Sequence, residues 1–310
     1  MTKVTDYDFF GYDYANYWSN RRYENEAEKI LLTKIFSNKN GNWFLDIGGS
    51  YGRLSSTYYK KYTNPIILDY SLQTLVKNKD ILKTKYPNIQ LIAANAYKLP
   101  FKDNTFDGAL MVRVLHHIEK PSAYFEELHR VMNRNSFYIQ EFANKIHLIS
   151  TLKALVRLNF KFFSKEPYQQ PTKGNFEGTK SGEEAIFFNY HPRYVKDLLE
   201  KNGFTVIKKH GCSYIRSALL KKVFGEELMI LTERILQPLL SWSNIPPSVV
   251  FESIIKKEIK ENVVHTSELE DILACPKCKG VLSITNSEAK CKKCSLTFVK
   301  ENDIWDFRIK

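Results

Sequence analysis

Short apolar runs alternate with helix-length stretches through the first half of this 310-residue chain. Five such runs follow one another in the order WFLDIG, IILDY, IQLIAA, FDGALMV and SFYIQEF. Buried parallel strands are short and apolar, and they need crossover connections, usually helices, between them. This rhythm therefore predicts an α/β fold with a doubly wound, mostly parallel sheet.

A glycine-rich turn follows the first apolar run, which ends around Asp46. It contains Gly48, Gly49, Ser50, Tyr51 and Gly52. Glycines at a strand-to-helix turn let a ligand approach the backbone, and ligands of open α/β sheets bind beyond the carboxyl ends of the strands. The turn predicts a nucleotide site, and taken alone it would also fit NAD.

Two later strand ends carry polar residues as well. The second strand ends at Asp69, whose carboxylate could accept hydrogen bonds from both hydroxyls of a ribose. The third is followed by Ala94, Asn95 and Ala96, where the Asn95 amide could reach the edge of an adenine. Together the three turns predict a ligand that contains adenosine.

The stretch from Trp43 to Glu141 resembles the class I S-adenosylmethionine-dependent methyltransferases, in particular the small-molecule group that includes the ubiquinone and menaquinone methyltransferases. DIGGSYG is similar to the first motif of that family, LDYS to its ribose-binding turn, and LPFKDNTFDGALMVRVLHHIEKP to the run past its fourth strand. The resemblance implies a Rossmann-like, seven-stranded sheet and S-adenosylmethionine as cofactor. We assign cofactor binding to Asp46, Gly48, Gly49, Ser50, Gly52, Asp69, Tyr70, Asn95, Ala96 and Arg113.

Two of these residues depart from the family pattern. Ser50 replaces the middle glycine of the first motif, and Asn95 stands where the family usually has Asp. We expect both changes to weaken cofactor binding without abolishing it. Arg113 has two further readings, a contact to an anionic substrate or an ion pair at the surface.

Methyl transfer is a one-step displacement, so alignment in a dry pocket matters more than a dedicated acid or base. Oxygen and carbon acceptors still gain from proton removal. His116 and His117 follow the fourth strand and are the candidate bases, and the resemblance favours His117. Packing or capping of the next helix remains open as the role of either histidine.

Four of the five cysteines lie near the end of the sequence: Cys275, Cys278, Cys291 and Cys294. Two CxxC pairs from two turns have the spacing of a tetrahedral zinc site, and four protein ligands leave no position for catalytic water. We predict a zinc ribbon with a structural Zn²⁺, with a redox role as the minor alternative. The segment resembles small zinc-ribbon proteins that activate translation-associated methyltransferases, which implies a protein partner. We expect Cys212 to be a buried packing residue.

A basic amphipathic helix is predicted between Lys145 and Lys165, where apolar residues recur at helical spacing among five Lys/Arg and no acidic residue. A second helix, from about Leu219 to Leu240, would complete the cover over the sheet. The resulting domain prediction is an N-terminal helical cap (1–40), a methyltransferase domain (41–258) with an insertion or lid (145–185), a linker (259–270) and a zinc ribbon (271–310).

The acceptor class is left open by the sequence. The core favours a small-molecule or lipid-like acceptor methylated at oxygen or carbon, and the basic insertion could contact an anionic membrane surface. The net charge of +12 and the ribbon fit an rRNA, tRNA or protein substrate, with the insertion contacting RNA. A docking module without turnover is the third reading. The first ten residues lack an apolar run and no membrane-span-length stretch follows, so we expect a cytoplasmic protein, peripheral at the membrane as an alternative.

Overall fold

A computed structural model describes residues 17–18, 21–169, 187–258 and 266–309. Before the ribbon, its strands are β1 (Gly41–Ile47), β2 (Tyr62–Asp69), β3 (Gln90–Ala93), β4 (Phe106–Met111), β5 (Met132–Ala143), β6 (Tyr168–Gln169), β7 (Phe188–Asn189), β8 (Phe204–Cys212) and β9 (Ser248–Ile255). The ribbon adds β10 (Leu282–Ile284), β11 (Glu288–Cys291), β12 (Thr297–Glu301) and β13 (Ile304–Asp306).

The helices are α1 (Arg22–Phe36), α2 (Ser55–Tyr58), α3 (Leu72–Lys85), α4 (Pro121–Val131), α5 (Leu148–Val156), α6 (Pro192–Lys201), α7 (Ala218–Phe224), α8 (Glu226–Leu239) and α9 (Leu269–Ile272). Local signals set their starts. Pro121 and Pro192 occupy the first turns of α4 and α6, where a missing N–H costs nothing, and the Ser71 hydroxyl caps α3 by accepting from Thr74 N. None of the described helices is both long and apolar enough to cross a membrane.

The predicted doubly wound α/β sheet is confirmed, with β3, β2, β1, β4 and β5 parallel and neighbouring in that order. Strand β9 adds to β5 antiparallel, and β8 adds to β9. The carboxyl ends of β1, β2 and β4 therefore lie together at one edge of the sheet, where the predicted turns follow them.

The predicted strand count is wrong. The described sheet has eleven strands instead of seven, because the four ribbon strands continue it beyond β3. The junction is a parallel pairing of β13 with β3, in which Trp305 pairs with Ile92 and Asp306 with Ala93. The ribbon is thus an extension of the main sheet.

The ribbon also shares the core of the main domain. One buried cluster joins Trp43, Phe106 and Tyr138 of the main sheet to Trp305 and Phe307 of the ribbon. Further contacts connect the segment before β10 to the loop after β3: Ala274 N donates to Pro100 O at 3.0 Å, and Lys102 N donates to Ile272 O at 2.8 Å. The ribbon is therefore joined to the main domain through both the sheet and the core.

The helices predicted outside the sheet are shorter than expected. Within 145–165 the structure has α5 and a 3-10 helix at Phe160–Phe163, with Leu158 in the left-handed region between them. The predicted helix from Leu219 to Leu240 is two helices, because Gly225 has φ +74°. We call residues 148–163 and 218–242 the helical cover. Residues 1–16, 19–20, 170–186 and 259–265, from the predicted cap, insertion and linker, lie outside the described residues.

Candidate cofactor site and four-cysteine cluster

The glycine-rich turn after β1 adopts the geometry that glycine permits. Gly48 has φ +70°, and a Cβ there would lie 2.3 Å from Cγ2 of Val114. Gly52 has φ +72°, and its Cβ would lie 2.4 Å from Cδ2 of Leu82. Any larger residue would clash and be strained at both positions, so the two glycines set the path of the turn.

Ser50 occupies the middle of this turn with φ +50°. Its hydroxyl is buried and has no hydrogen-bond partner among the described residues, although the residue lines the pocket. Burying a hydroxyl without a partner is costly. The orphaned Ser50 Oγ is therefore a polar atom that a ligand in this pocket can satisfy.

Asp69 ties two turns of the site together. Its Oδ2 accepts a hydrogen bond from Ser50 N at 2.9 Å, and its Oδ1 accepts one from Ser71 N at 2.9 Å. Both donors are backbone amides next to the pocket, so the carboxylate is held in place from two sides. A carboxylate oxygen has two lone-pair positions, so each can still accept a ligand hydroxyl.

Asp46 lies beneath the turn and is buried, and its carboxylate accepts a hydrogen bond from Tyr58 Oη at 2.8 Å. Burial raises the pKa of Asp46 to about 7, with repulsion from Asp69 adding to it, while the Tyr58 hydrogen bond and the charge of Arg53 act in the opposite direction. Asp46 is thus poised to change charge near neutral pH.

The third turn also contributes to the pocket through Asn95 and Ala96. Asn95 Oδ1 accepts a hydrogen bond from Tyr97 N at 2.9 Å. An Asp at this position could make the same bond, so the departure from the family pattern keeps the turn intact.

Trp18 covers the pocket from the N-terminal segment. The guanidinium carbon of Arg53 lies 3.7 Å from its ring centroid, and that of Arg113 lies 5.0 Å away. Both arginines also bind the buried carboxylate of Glu28, to which Arg113 Nε donates at 2.6 Å and Arg53 Nη2 at 2.5 Å. Arg113 is thus in a buried ion pair and not the surface pair considered from the sequence, and its charge is largely committed to Glu28.

The two candidate bases lie side by side on a 3-10 helix (Leu115–His117) at the pocket wall. Their ring centroids are 4.0 Å apart, and His116 stacks on Phe187 at 4.2 Å. Burial lowers the pKa of His116 well below the ordinary histidine value, and the neighbouring His117 adds to this effect. His116 is therefore neutral near pH 7.

Four charged residues that line the pocket were missed by sequence reasoning: Arg21, Arg53, Glu141 and Arg216. Glu141 is buried at the end of β5 and accepts from Arg113 N at 2.8 Å, and burial raises its pKa. Arg216 lies between β8 and α7. Glu141 could have been found, because it is an acidic residue within the otherwise apolar run SFYIQEF. No local sequence pattern indicates that Arg216 lines the pocket.

These residues enclose one cavity of about 390 Å³, which extends from the glycine-rich turn and Asp69 to the histidines, Phe187 and Arg216. The volume is in the range of small-molecule and cofactor sites. Nine of the ten predicted cofactor residues line this cavity: Asp46, Gly48, Gly49, Ser50, Asp69, Tyr70, Asn95, Ala96 and Arg113. The tenth, Gly52, does not line it. Gly52 shapes the turn from behind.

The four cysteines of the ribbon form one cluster whose sulfur atoms all lie within 4.8 Å of one another. Cys275 Sγ is 3.6 Å from Cys294 Sγ, and Cys278 Sγ is 3.5 Å from Cys291 Sγ. A tetrahedral site with Zn–S bonds of about 2.3 Å needs sulfur atoms about 3.8 Å apart. The donor set and spacing therefore fit Zn²⁺. Cys212 is buried, as predicted.

The ribbon reaches the cofactor pocket through the residues after β13. Phe307 N donates to Ala93 O at 2.8 Å, at the start of the third turn. Arg308 Nη1 donates to Tyr70 O at 3.2 Å, and its guanidinium carbon lies 5.8 Å from the Tyr70 ring centroid. Asp306 orients the same guanidinium through Nε and Nη2. The ribbon thus contacts the turn after β2, which contains Asp69 and Tyr70 and which we call the ribose-side turn.

The chain is similar to known methyltransferases. Residues 45–139 match the family described as a methyltransferase domain. An uncharacterized protein of Methanocaldococcus jannaschii is 28% identical over 211 residues, 65% of this chain and 78% of the relative. The 2-phytyl-1,4-naphtoquinone methyltransferase of Nostoc sp. is 31% identical over 130 residues, 40% of this chain and 56% of the relative. The matched part thus spans only about half of that enzyme.

Solved structures show the same fold. A Thermotoga maritima S-adenosylmethionine-dependent methyltransferase superposes with a TM-score of 0.52 at 15% identity, covering 81% of this chain and 98% of its own. One chain of the complex between the Haloferax volcanii Trm112 methyltransferase activator and a methyltransferase gives 0.53 at 12% identity, covering 82% and 100%. With the domain match and the pocket, these similarities confirm the predicted enzyme class: the chain is an S-adenosylmethionine-dependent methyltransferase.

Proposed function

We propose that this enzyme methylates a small, apolar acceptor of the quinol type at oxygen or carbon. The observation that carries the proposal is the composition of the cavity beyond the cofactor residues. There the lining combines four apolar residues with two histidines, one carboxyl, one guanidinium and one hydroxyl: Val114, Ile118, Ala143, Phe187, His116, His117, Glu141, Arg216 and Ser248. The similarity to the naphtoquinone methyltransferase and to a demethylmenaquinone methyltransferase of Paenarthrobacter aurescens supports the same acceptor class.

S-adenosylmethionine bound beside the glycine-rich turn and Asp69 would supply the methyl group, which the acceptor oxygen or carbon would displace from the sulfonium sulfur with the bonding electron pair left on sulfur. Because the step is a single displacement, the main task of the protein is to align the acceptor and exclude water. Trp18 over the pocket and the stacked pair of His116 and Phe187 would do so.

A proton must leave the acceptor, and the histidine pair is placed to receive it. His116 is neutral near pH 7 because of its lowered pKa, so its ring has one nitrogen that can accept a proton. His117 is less buried than His116 and remains our preferred base. Glu141 would stabilise the resulting imidazolium from the β5 side of the same cavity.

We also propose that the four-cysteine cluster holds a structural Zn²⁺. Four thiolates would complete its coordination without a water ligand, so its contribution is to fold the ribbon and not to activate a substrate. Partner binding through the ribbon remains a second role, which the exposed edge strand β10 would allow.

The test is a methylation assay on the full chain with S-adenosylmethionine, using short-chain demethylated naphthoquinols and, separately, total tRNA and rRNA. We expect mass-shifted quinol products and no methylated nucleosides. His117→Gln should lower kcat more than tenfold while leaving S-adenosylhomocysteine affinity unchanged. Methylated RNA with unreacted quinols would contradict the proposed acceptor class.

A further inference from the structure

Exposed apolar side chains are concentrated in one part of this molecule. Of 22 exposed large hydrophobic residues among those described, 17 belong to the helical cover. Those in the first segment are Leu148, Ile149, Leu152, Leu155, Val156, Leu158, Phe160 and Phe163. Those in the second are Leu219, Leu220, Val223, Phe224, Leu228, Leu231, Ile235, Leu239 and Trp242. Single exposed apolar residues are ordinary, but a concentration of this size marks an interaction surface.

The first segment begins next to the end of the second segment. Leu148 N, at the start of α5, donates to Ile245 O at 3.1 Å, just beyond the end of the second segment. Burial lowers the pKa of His147, the residue before α5, and the charge of Arg216, which lies before α7, adds to this effect. Arg216 itself lines the cavity.

The charges of this surface are mainly basic. From Leu148 to Lys165 the sequence has four Lys/Arg and no acidic residue, and α7 adds Lys221 and Lys222. Helix α8 adds Arg234 and, at its start, Glu226 and Glu227, of which Glu227 pairs with Arg22. Within the described part of the chain, Lys153, Arg157, Lys161 and Lys222 have no ion-pair partner. Lys221 and Lys165 are paired, with Glu24 and Asp197. A protein interface would more often bury such apolar residues beside polar groups of both signs, whereas exposed leucine and phenylalanine flanked by lysine suit an anionic bilayer.

We propose that the exposed face of the helical cover docks on an anionic phospholipid bilayer, so that an amphiphilic acceptor enters the cavity from the membrane. The role of this docking in catalysis rests on the proposed acceptor, whereas the docking surface itself is inferred from the exposed residues and charges alone. The apolar side chains enter the headgroup and acyl boundary, and Lys153, Arg157, Lys161 and Lys222 contact the lipid phosphates.

The experiment is co-sedimentation of the full, zinc-loaded chain with vesicles of phosphatidylcholine alone or mixed with phosphatidylglycerol. We expect binding to the anionic vesicles at least about tenfold stronger than to the neutral ones. Leu152→Glu with Val156→Glu, and separately Val223→Glu with Phe224→Glu, should each weaken binding at least about tenfold. Ile81→Glu, at a side chain that is 70% exposed on α3, is the matched control and should bind like the wild type.

Each variant is checked for S-adenosylhomocysteine binding, which should be unchanged if the fold is intact. Equal binding by the α5, α7 and Ile81 variants would overturn the inference. Self-association that the α5 variant abolishes, without vesicle binding by the wild type, would overturn it in favour of a second copy of the chain. Methylation of a water-soluble quinol without vesicle binding would overturn the docking surface alone. Vesicle binding without quinol methylation would support this surface and contradict the proposed acceptor.

Discussion

The ribbon and the helical cover both adjoin the catalytic domain, but they differ in how much of their large apolar side chains is exposed to solvent. In the ribbon, Trp305 and Phe307 are fully buried and belong to the same core cluster as the main sheet. In the cover, Trp242 is 77% exposed and Val156 is 85% exposed. The ribbon therefore stabilises the domain from within, whereas the cover has a surface available for contact with something else.

The two flanks also reach different halves of the cavity. The ribbon contacts Ala93 and Tyr70 through Phe307 and Arg308, whereas Arg216, which precedes the second segment of the cover, lines the half that contains the histidines. We infer that changes in the ribbon alter stability and cofactor affinity. Changes in the cover should leave both intact and alter the delivery of the acceptor.

The largest expected effect is that of disrupting the proposed zinc site. Cys291→Ser should destabilise the whole chain by at least about 4 kcal/mol, because β13 is paired with β3 and the ribbon shares the main core. Thermal unfolding followed by circular dichroism, with and without a chelator, measures this loss. Lys292→Ala, at an exposed neighbour, is the control. If the ribbon melted alone while the domain melted at its usual temperature, the two would be independent modules.

A matched pair of tryptophans tests the contrast in burial directly. Trp305→Ala should cost about 3–5 kcal/mol of unfolding free energy, because it leaves a cavity at the junction of β13 and β3. Trp242→Ala should change that free energy by less than about 0.5 kcal/mol, because its side chain already contacts water. Denaturant unfolding of both variants gives the two values, and similar losses would refute the contrast.

The cavity between the flanks should show its own pH dependence. The pKa of Asp46 is about 7, and the ammonium of the cofactor would favour the ionised carboxylate. Cofactor affinity should then rise with pH and be about tenfold higher at pH 8 than at pH 6. Calorimetric titrations at several pH values measure this slope. Asp46→Asn should flatten it, and an unchanged slope in that variant would assign the titration to another group.

The smallest expected effect concerns the contact between the ribbon and the ribose-side turn. Arg308→Ala removes the hydrogen bond to Tyr70 O and should weaken S-adenosylhomocysteine binding about threefold. Arg216→Ala, on the other flank, should leave that affinity unchanged and raise the KM of the acceptor. Kinetics with each substrate varied in turn separates the two. Equal effects on cofactor affinity would mean that the flanks do not serve different halves of the cavity.

Local sequence patterns predicted the catalytic domain because its site is built from consecutive strand ends. Gly48, Gly52 and Asp69 each follow an apolar run, and the backbone geometry they require is visible in their residue types. The four-cysteine cluster could be predicted for the same reason, because the CxxC spacing of its ligands is visible in the local sequence.

The missing parts depend on contacts between residues far apart in the sequence. Nothing in the segment around Trp305 indicates that it pairs with Ile92, so the ribbon was predicted as a separate unit. The same holds for Arg113, whose partner Glu28 comes from α1. The exposure of the apolar residues in α5 could not be predicted either. Helical periodicity shows that these residues share one face of the helix, but it does not show whether another element covers that face.

The most direct test of the account is calorimetric titration of the zinc-loaded wild type and Asp69→Asn with S-adenosylhomocysteine. Asp69 is fixed by the amides of Ser50 and Ser71, and Asn preserves its shape while removing the charge that receives the ribose hydroxyls. The account predicts micromolar binding by the wild type, at least about tenfold weaker binding by Asp69→Asn, and no change in Asp80→Asn on the exposed side of α3. Absent binding in the folded wild type, or equal binding by Asp69→Asn, would contradict the assignment of this cavity to the cofactor.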